Sequence, residues 1–222
     1  MQSGHITTPF GRRSMSLGML ASQLDASEIE PDKTVDKWKL FRTLCEARGP
    51  VGISDRALAV LNALLTFYPK NEISEENGVV VFPSNAQLSI RTHGMAGTTL
   101  RRHLASLVEA GLIIRRDSPN GKRYARRGGG GDISEAYGFS LAPLLARAEE
   151  FERMAAEVAA ERLHLKRLKE RLSLCRRDVV KLIETAMEEQ LPGDWEDMLV
   201  QLRAISLSLS RAPQAEEIED VL

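Results

Sequence analysis

Apolar residues recur at three- and four-residue steps from residue 32 onward, and this spacing predicts helices. The first helix carries on its apolar face Val35, Trp38, Phe41, Leu44 and Cys45. The sequence GPVG, residues 49–52, then interrupts the pattern. A second helix follows, with Ser54 as its predicted N-cap and Pro69 after its end. The apolar face of this second helix comprises Leu58, Leu61, Leu64, Leu65 and Tyr68.

The pattern changes after a polar segment, 70–78, which is predicted to be a loop. The short apolar run VVVF, residues 79–82, predicts a buried strand. Ser84 is the predicted N-cap of a short helix, and a turn holding two glycines, Gly94 and Gly97, follows it. A longer helix then ends at a glycine stop signal, Gly111. Two helices joined by a short glycine-bearing turn are typical of a helix-turn-helix.

The sequence LIIRRDSPNGKRY, residues 112–124, predicts a basic hairpin. Its tip is Asn-Gly, and both residue types tolerate positive φ in a tight turn. Four glycines, 128–131, then predict a flexible excursion, and AYGFSL, residues 136–141, predicts a further strand. A strand, two helices and a basic hairpin in this order describe a winged helix. The predicted fold class is therefore mainly α with a small β wing: a winged helix-turn-helix domain followed by long helices.

The long helices begin after Pro143, and their apolar positions form two runs, Leu144 to Val158 and Leu165 to Ala186. The register slips by one residue near Arg162, which indicates two helices, or one helix whose buried stripe changes neighbour. We expect the first run to pack on the winged-helix domain. The second run would pack against further helices, in a homodimer or in a domain outside this chain.

These patterns divide the chain into four expected regions. They are a flexible N-terminal arm over 1–31, a winged-helix DNA-binding domain over 32–142, a long helical region over 143–190 and an acidic helical tail over 191–222. Hydrophobic residues make up 43% of the 222 positions and charged residues 27%, which is ordinary for a globular protein. Two cysteines, Cys45 and Cys175, are expected to be buried free thiols. No apolar run approaches the roughly 20 residues that cross a bilayer, so we expect a cytoplasmic protein without membrane contact.

Charge is distributed unevenly: residues 97–127 hold eight basic and two acidic residues, although the whole chain is formally −1. On a helical wheel Arg102 points away from the leucine face of the longer helix, with Thr99 and Ser106 beside it. This pattern is typical of a recognition helix that enters a major groove, whereas an isolated basic helix face is more often only solvated. The predicted double-stranded DNA-binding residues are Ser84, Asn85, Thr98, Thr99, Arg101, Arg102, Ser106, Arg115, Arg116, Asn120, Lys122, Arg123, Arg126 and Arg127.

Signals for catalysis are weak. The sequence SPNGKRY contains Gly-Lys but lacks the upstream glycine and the following Ser or Thr of a phosphate-binding loop. The four histidines and two cysteines do not show the spacing of metal ligands. We therefore expect no enzymatic activity, no cofactor and no metal.

Several of these runs together resemble one family. They are VDKWKLFRTLCEAR, SDRALAVLNALLTFYP, VVFPSNAQLSIRTHGMAGTTLRRHLASLVEAGLIIRRDSPNGKRYARR, YGFSLAPLLARAEE and LCRRDVVKLI. Over roughly residues 5–190 the sequence is similar to the RepC family, the replication initiators of bacterial repABC-type plasmids. The resemblance implies sequence-specific binding to a plasmid replication origin, host replication proteins as partners, and a second domain that follows the long helices.

Two other classes of function remain open from the residues alone. A dimeric winged-helix transcriptional regulator would use the same basic segment on a promoter palindrome, with the long helices as its dimer interface. An adaptor protein that uses the long helices alone would leave the basic segment unexplained. The preferred DNA site separates the first alternative from an initiator.

Overall fold

The computed structural model describes residues 19–20, 23–24, 26, 29, 32–75, 78–127 and 133–222, without the side chains of 127, 133 and 134. The predicted arm over 1–31 thus lies almost wholly outside the described residues. The chain forms two compact units, one ending at Ala156 and one spanning Glu157–Leu222. The described part is mainly helical with small antiparallel sheets, as the sequence predicts.

The helices of the first unit are α1 (Lys37–Glu46), α2 (Arg48–Val51), α3 (Asp55–Leu65), α4 (Asn85–Arg91), α5 (Gly97–Glu109), α6 (Ala142–Ala146) and the start of α7 (Ala148–Glu188). The second unit contains the rest of α7, α8 (Trp195–Ser208) and α9 (Ala215–Glu219). The strands are β1 (Val35–Asp36), β2 (Glu72–Ile73), β3 (Val80–Val81), β4 (Ile114–Arg116), β5 (Tyr124–Arg127) and β6 (Ile133–Ser140).

The first helix begins later than its apolar pattern suggests. Asp36 is the N-cap of α1, and its carboxylate accepts hydrogen bonds from the backbone N–H groups of Trp38 and Lys39. Val35 lies before the helix in β1, which pairs with β2. The predicted loop over 70–78 therefore contains a strand, because Ile73 is fully buried and pairs opposite Val35.

Three helices, α3, α4 and α5, form the centre of the first unit. The predicted caps are confirmed: Ser54 accepts from the N–H of Ala57, and Ser84 forms a capping box with Gln87. The predicted turn placement of Gly97 is wrong, because Gly97 is the first residue of α5. Gly111 follows the C-cap with a φ of 64°, a left-handed conformation that glycine adopts readily.

The sheet differs from the predicted hairpin. Strands β4 and β5 pair with β6 rather than with each other, and β3 also pairs with β6. The reason is the eight-residue length of β6, whose second half pairs with β3 and β4 and whose first half pairs with β5. In the turn between β4 and β5 only Gly121 has a positive φ, and its N–H donates to Ser118 O at 3.0 Å.

The first apolar run of the long helices packs where it was expected only as far as Phe151, since Val158 at its end is half-buried and belongs to the second unit. Leu144, Leu145, Ala148 and Phe151 all belong to the core of the first unit. Arg147, between α6 and α7, donates to two carbonyl oxygens at the end of α5, those of Ala110 and Gly111. Its Nε and Nη2 atoms also donate to the two oxygens of the Glu150 carboxylate, at 2.7 and 2.9 Å. Of the two alternatives for this region, the structure shows one continuous helix.

The second unit buries only part of the second apolar run. Leu168 and Ala186 are buried, but Leu182 is 70% exposed and its neighbour Ile183 is buried instead. The expected burial of Cys175 is also wrong, because its side chain is exposed. These shifts arise because a 3-4 repeat read over six turns drifts relative to a straight helix of 3.6 residues per turn. No helix among the described residues is long and apolar enough to cross a membrane.

Candidate nucleic-acid interface

The candidate interface is centred on α5. One face of this helix packs against the core of the first unit. Leu100, Leu104 and Leu107 on this face are buried, and Leu88 of α4 joins them in the same core. The turn between α4 and α5 is fixed by Ser89, which accepts from Gly94 N at 2.8 Å and donates through its hydroxyl to Met95 O. Helix α5 is thus held at its buried face and at its start, and its other face meets solvent.

The predicted residues of α5 are all at least partly exposed to solvent. Thr98, Arg101 and Arg102 are exposed, whereas Thr99 and Ser106 are half-buried. Arg101 donates to Gly97 O within its own helix at 3.1 Å. Arg102 makes no hydrogen bond or ion pair with the described residues, so its guanidinium can contact a ligand without breaking an internal bond.

His103 is the buried neighbour of these cations. It is 8% exposed, and its Nε2 atom has no hydrogen-bond partner among the described residues. Burial, aided by the positive charges of Arg102 and Arg56, lowers the pKa of His103. The His103 ring therefore faces the protein interior and is not part of the solvent face of α5.

The predicted DNA-binding residues of β4 and of the turn that follows it fall into an exposed group and a paired one. Arg116, Asn120 and Lys122 are exposed, and Asn120 accepts from Lys122 N at 3.1 Å, which shapes the turn. Arg115 is held against Asp117, with 2.7 Å between its Nε and the Asp117 Oδ1. Arg116 and Lys122 are therefore the cations of this segment that point to solvent without an ion pair among the described residues.

Arg123 is half-buried and is held by contacts within the fold. Its Nη1 donates to Pro83 O at 2.8 Å, and its guanidinium lies 4.4 Å from the centre of the Phe139 ring. Burial, together with the charge of Arg115, lowers the pKa of Arg123 to about 10, which leaves it protonated at neutral pH. In this conformation Arg123 fixes the segment before β5 to the chain before α4.

The remaining predicted residues lie at the ends of elements. Arg126 is exposed and pairs with Glu135 across β5 and β6 at 3.2 Å. The side chain of Arg127 lies outside the described part. Ser84 and Asn85 are exposed at the start of α4, where the Ser84 hydroxyl is used as a cap. The exposed candidates thus come from the start of α4, from α5, and from β4, β5 and the turn between them. A contact of any of them with DNA stays a prediction.

Sequence reasoning missed a second concentration of positive charge. Residues 162–181 of α7 hold eight basic and two acidic residues, as many of each as residues 97–127. The signal for it in the sequence is the local excess of Lys and Arg, which lies within a stretch that also has a helical apolar period. No group of three or more His, Cys, Asp or Glu side chains that could hold a metal ion occurs in the described part of the chain.

Comparison with known proteins gives one consistent result. Residues 13–187 match the family described as Replication protein C N-terminal domain. The chain is 61% identical over its full length to a protein named "Putative replication protein C" from Sinorhizobium fredii (strain NBRC 101917 / NGR234). It is 52% identical to a protein of the same name from Rhizobium rhizogenes. No solved structure matches it.

The chain covers 55% of the length of both relatives, and its whole length takes part in both matches. The family match spans most of the first unit and extends through α7 almost to its end. The chain therefore belongs to the replication protein C family.

Proposed function

We propose that the first unit is a winged helix-turn-helix domain, with α4 and α5 as the helix-turn-helix and β4, β5 and β6 as the wing. The order of elements and the glycine-bearing turn between the two helices support this assignment. The observation that carries the proposal is the division of α5, which buries its leucines while Arg102 stays exposed and unpaired among the described residues. A recognition helix requires this division, because its outer face must reach base edges.

The proposed function is sequence-specific binding of double-stranded DNA at a plasmid replication origin, which starts replication of the plasmid. Membership of the replication protein C family supports the link to replication. The cations of α5 and of the β4–β5 turn support DNA as the ligand. The proposed role is binding rather than catalysis, in the cytoplasm, with host replication proteins and a second copy of the chain as proposed partners.

A dimeric transcriptional regulator would present the same surface, and family membership argues against it. Footprinting of the chain on the DNA of its plasmid separates the two. Protection within the replication origin is the expected result. Protection confined to a promoter palindrome would replace the proposal with the regulator, and uniform coverage without a preferred site would overturn sequence-specific binding.

Substitution of Arg102 by alanine should reduce selectivity. Because Arg102 lies at the centre of the exposed face of α5, the variant should lose about 1–3 kcal/mol of binding free energy on the preferred duplex and much less on random DNA.

Substitution of Lys122 should affect the two duplexes alike. Lys122→Ala should weaken binding to both by the same factor and reduce the slope of log affinity against log salt by about 1, as loss of a phosphate contact does. Fluorescence anisotropy over a salt series measures both effects.

The matched control for these substitutions is Arg42→Ala, because Arg42 is an exposed arginine on α1 outside the predicted set. We expect it to leave both affinities within about twofold of the unmodified chain, since only residues near the duplex release counterions. Equal losses on preferred and random DNA for Arg102→Ala would contradict the assignment of α5 as the recognition helix.

A further inference from the structure

The basic residues of α7 within the second unit lie mostly on one side of the helix. At about 100° per residue, Arg162, Lys166, Lys169, Arg176 and Arg177 fall within an arc of about 100°. We call these five residues the α7 basic stripe. All five are exposed, and the buried side of the same stretch, which includes Leu168, lies on a neighbouring arc. The fold of the second unit therefore leaves the stripe in solvent.

The charges of the stripe are largely uncompensated within the described residues. Lys166 lies 3.8 Å from Glu170, and Arg177 lies 2.9 Å from Asp178, in exposed ion pairs. Such pairs contribute little in water and exchange readily for another anion. Arg162, Lys169 and Arg176 form no ion pair with the part of the chain that the structure describes.

The acidic tail does not cover the stripe. Residues 191–222, the acidic tail, carry seven acidic residues against two arginines, so this tail is the obvious internal counter-charge. Among the described residues, the tail pairs with the basic stretch of α7 through Glu219, whose carboxylate lies 3.0 Å from the His164 ring. His164 lies outside the stripe, on the far side of the buried arc. The Glu219–His164 pair thus does not neutralise the positive charges of the stripe, although the acidic tail lies in the same unit.

We propose that the α7 basic stripe is a second DNA-contacting surface, which binds the phosphate backbone of a duplex without reading its sequence. From Arg162 to Arg177 the helix rises about 22 Å, and one strand of a duplex presents a phosphate roughly every 3.4 Å along its axis. An exposed row of Arg and Lys side chains of this length can therefore neutralise several phosphates. The inference rests on the proposed function only in taking double-stranded DNA as the ligand.

The composition of the stretch favours a polyanion over a protein partner. Residues 162–181 contain no Phe, Tyr or Trp. Protein interfaces draw most of their binding energy from buried aromatic and arginine anchors in well-packed pockets. The depression beside the stripe is open to solvent and provides no enclosed pocket, although two leucines contribute to its lining, which comprises Arg162, Leu165, Lys166, Lys169, Glu170, Ser173 and Leu174. Phosphate contacts require only exposed cations, which this surface supplies.

The test compares two double variants of the chain that remove the same charge from the same helix. Arg162→Gln with Arg176→Gln removes two cations of the stripe. Arg167→Gln with Arg171→Gln removes two exposed arginines from the opposite flank of α7. The probes are a fluorescein-labelled 40-base-pair duplex of random sequence and the preferred duplex identified by footprinting.

The stripe variant should lower the salt slope by about 2 and weaken binding to both duplexes about 10- to 60-fold near 0.1 M salt. Its ratio of preferred to random affinity should stay unchanged. The control variant should differ from the unmodified chain by less than about threefold, and the circular dichroism of both variants should match it.

Three outcomes would overturn the inference. The first is equal effects of the two variants, which would mean that only net charge matters. The second is unchanged DNA affinity in the stripe variant, in which case the proposed function stands and this second surface does not. The third is unchanged affinity together with a changed sedimentation coefficient, which would make the stripe a protein–protein surface. If the unmodified chain binds neither duplex, the proposed function itself fails.

Discussion

His103 is a buried imidazole with an unsatisfied nitrogen beside two arginines, Arg102 and Arg56. A neutral ring is favoured at this position, because burial penalises the charged form of the imidazole. A protonated ring would place a third positive charge there without an anion to balance it. The fold therefore favours the neutral form of His103. Protonation of His103 would destabilise α5, the helix that also carries Arg102.

The stability of the chain should fall on acidification in a way that depends on His103. Its pKa in the folded chain is lowered, so the unfolded chain, with a histidine pKa of about 6.5, takes up the proton first. This contribution is complete above pH 7 and is lost as the pH falls below about 6.5. Urea unfolding at pH 7.5 and 5.5 should show a smaller difference for His103→Gln than for the unmodified chain.

The control for this pH effect is His93→Asn. His93 is exposed and has a φ of 58°, a conformation that asparagine also tolerates. This variant should show the same pH dependence as the unmodified chain. An unchanged loss of stability in His103→Gln would mean that other groups produce the acid sensitivity.

At the scale of single residues, periodicity predicts exposure well on α5 and poorly elsewhere. The 3.6-residue period places Leu100 inside and Arg102 outside, because both positions depend only on the helix and its buried face. Arg123 and Lys122 look alike in sequence, yet Arg123 bonds to Pro83 O, forty residues away. Such a contact depends on how distant parts of the chain approach each other. The local pattern of apolar and polar residues therefore cannot predict it.

At the scale of elements, β6 is the strand on which the sheet depends. Gly138 lies where β6 passes close to the backbone of β3. A Cβ atom added at Gly138 would lie 2.2 Å from Val81 O and 2.9 Å from the Cα of Phe82. The pairing of these two strands thus requires the absence of a side chain at this position.

Substitution of Gly138 by alanine should destabilise the chain by about 1–3 kcal/mol, because the strands must separate to admit the methyl group. Thermal and urea unfolding measure the loss. Gly49→Ala is the matched control, since a Cβ atom there meets nothing within 4 Å and the residue lies in the helical turn α2. If the two variants prove equally stable, the close approach of β3 and β6 is not a constraint.

The elements of this sheet show the limit of local signals. The Asn-Gly turn between β4 and β5 exists, but the strands that it joins each pair with β6. The turn at residues 118–121 depends on its own residue types and can be predicted from them. The strand order depends on which distant strands pair with β6, and a local sequence pattern does not determine this. The helices α3 and α4 were predictable because Ser54 and Ser84 cap them and each has one apolar face. The start of α5, which has no side-chain cap, was predicted less well than its leucine face.

At the scale of the whole molecule, charge is sorted into segments rather than mixed. Residues 97–127 and 162–181 each carry eight basic and two acidic residues, and the rest of the chain compensates so fully that the total is −1. The total therefore hides both basic surfaces. The net charge of −1 is therefore compatible with a nucleic-acid ligand.

This sorting has a consequence for how the chain behaves on a column. Its isoelectric point of about 6.5 suggests adsorption to an anion exchanger alone at pH 7.5. A resin surface, however, senses only the charges within a Debye length, about 10 Å at 0.1 M salt. The chain should therefore be retained by a cation exchanger as well, and Arg162→Gln with Arg176→Gln should elute from it at lower salt. Passage of the unmodified chain through the cation exchanger in 50 mM salt would show that neither basic surface acts as a unit.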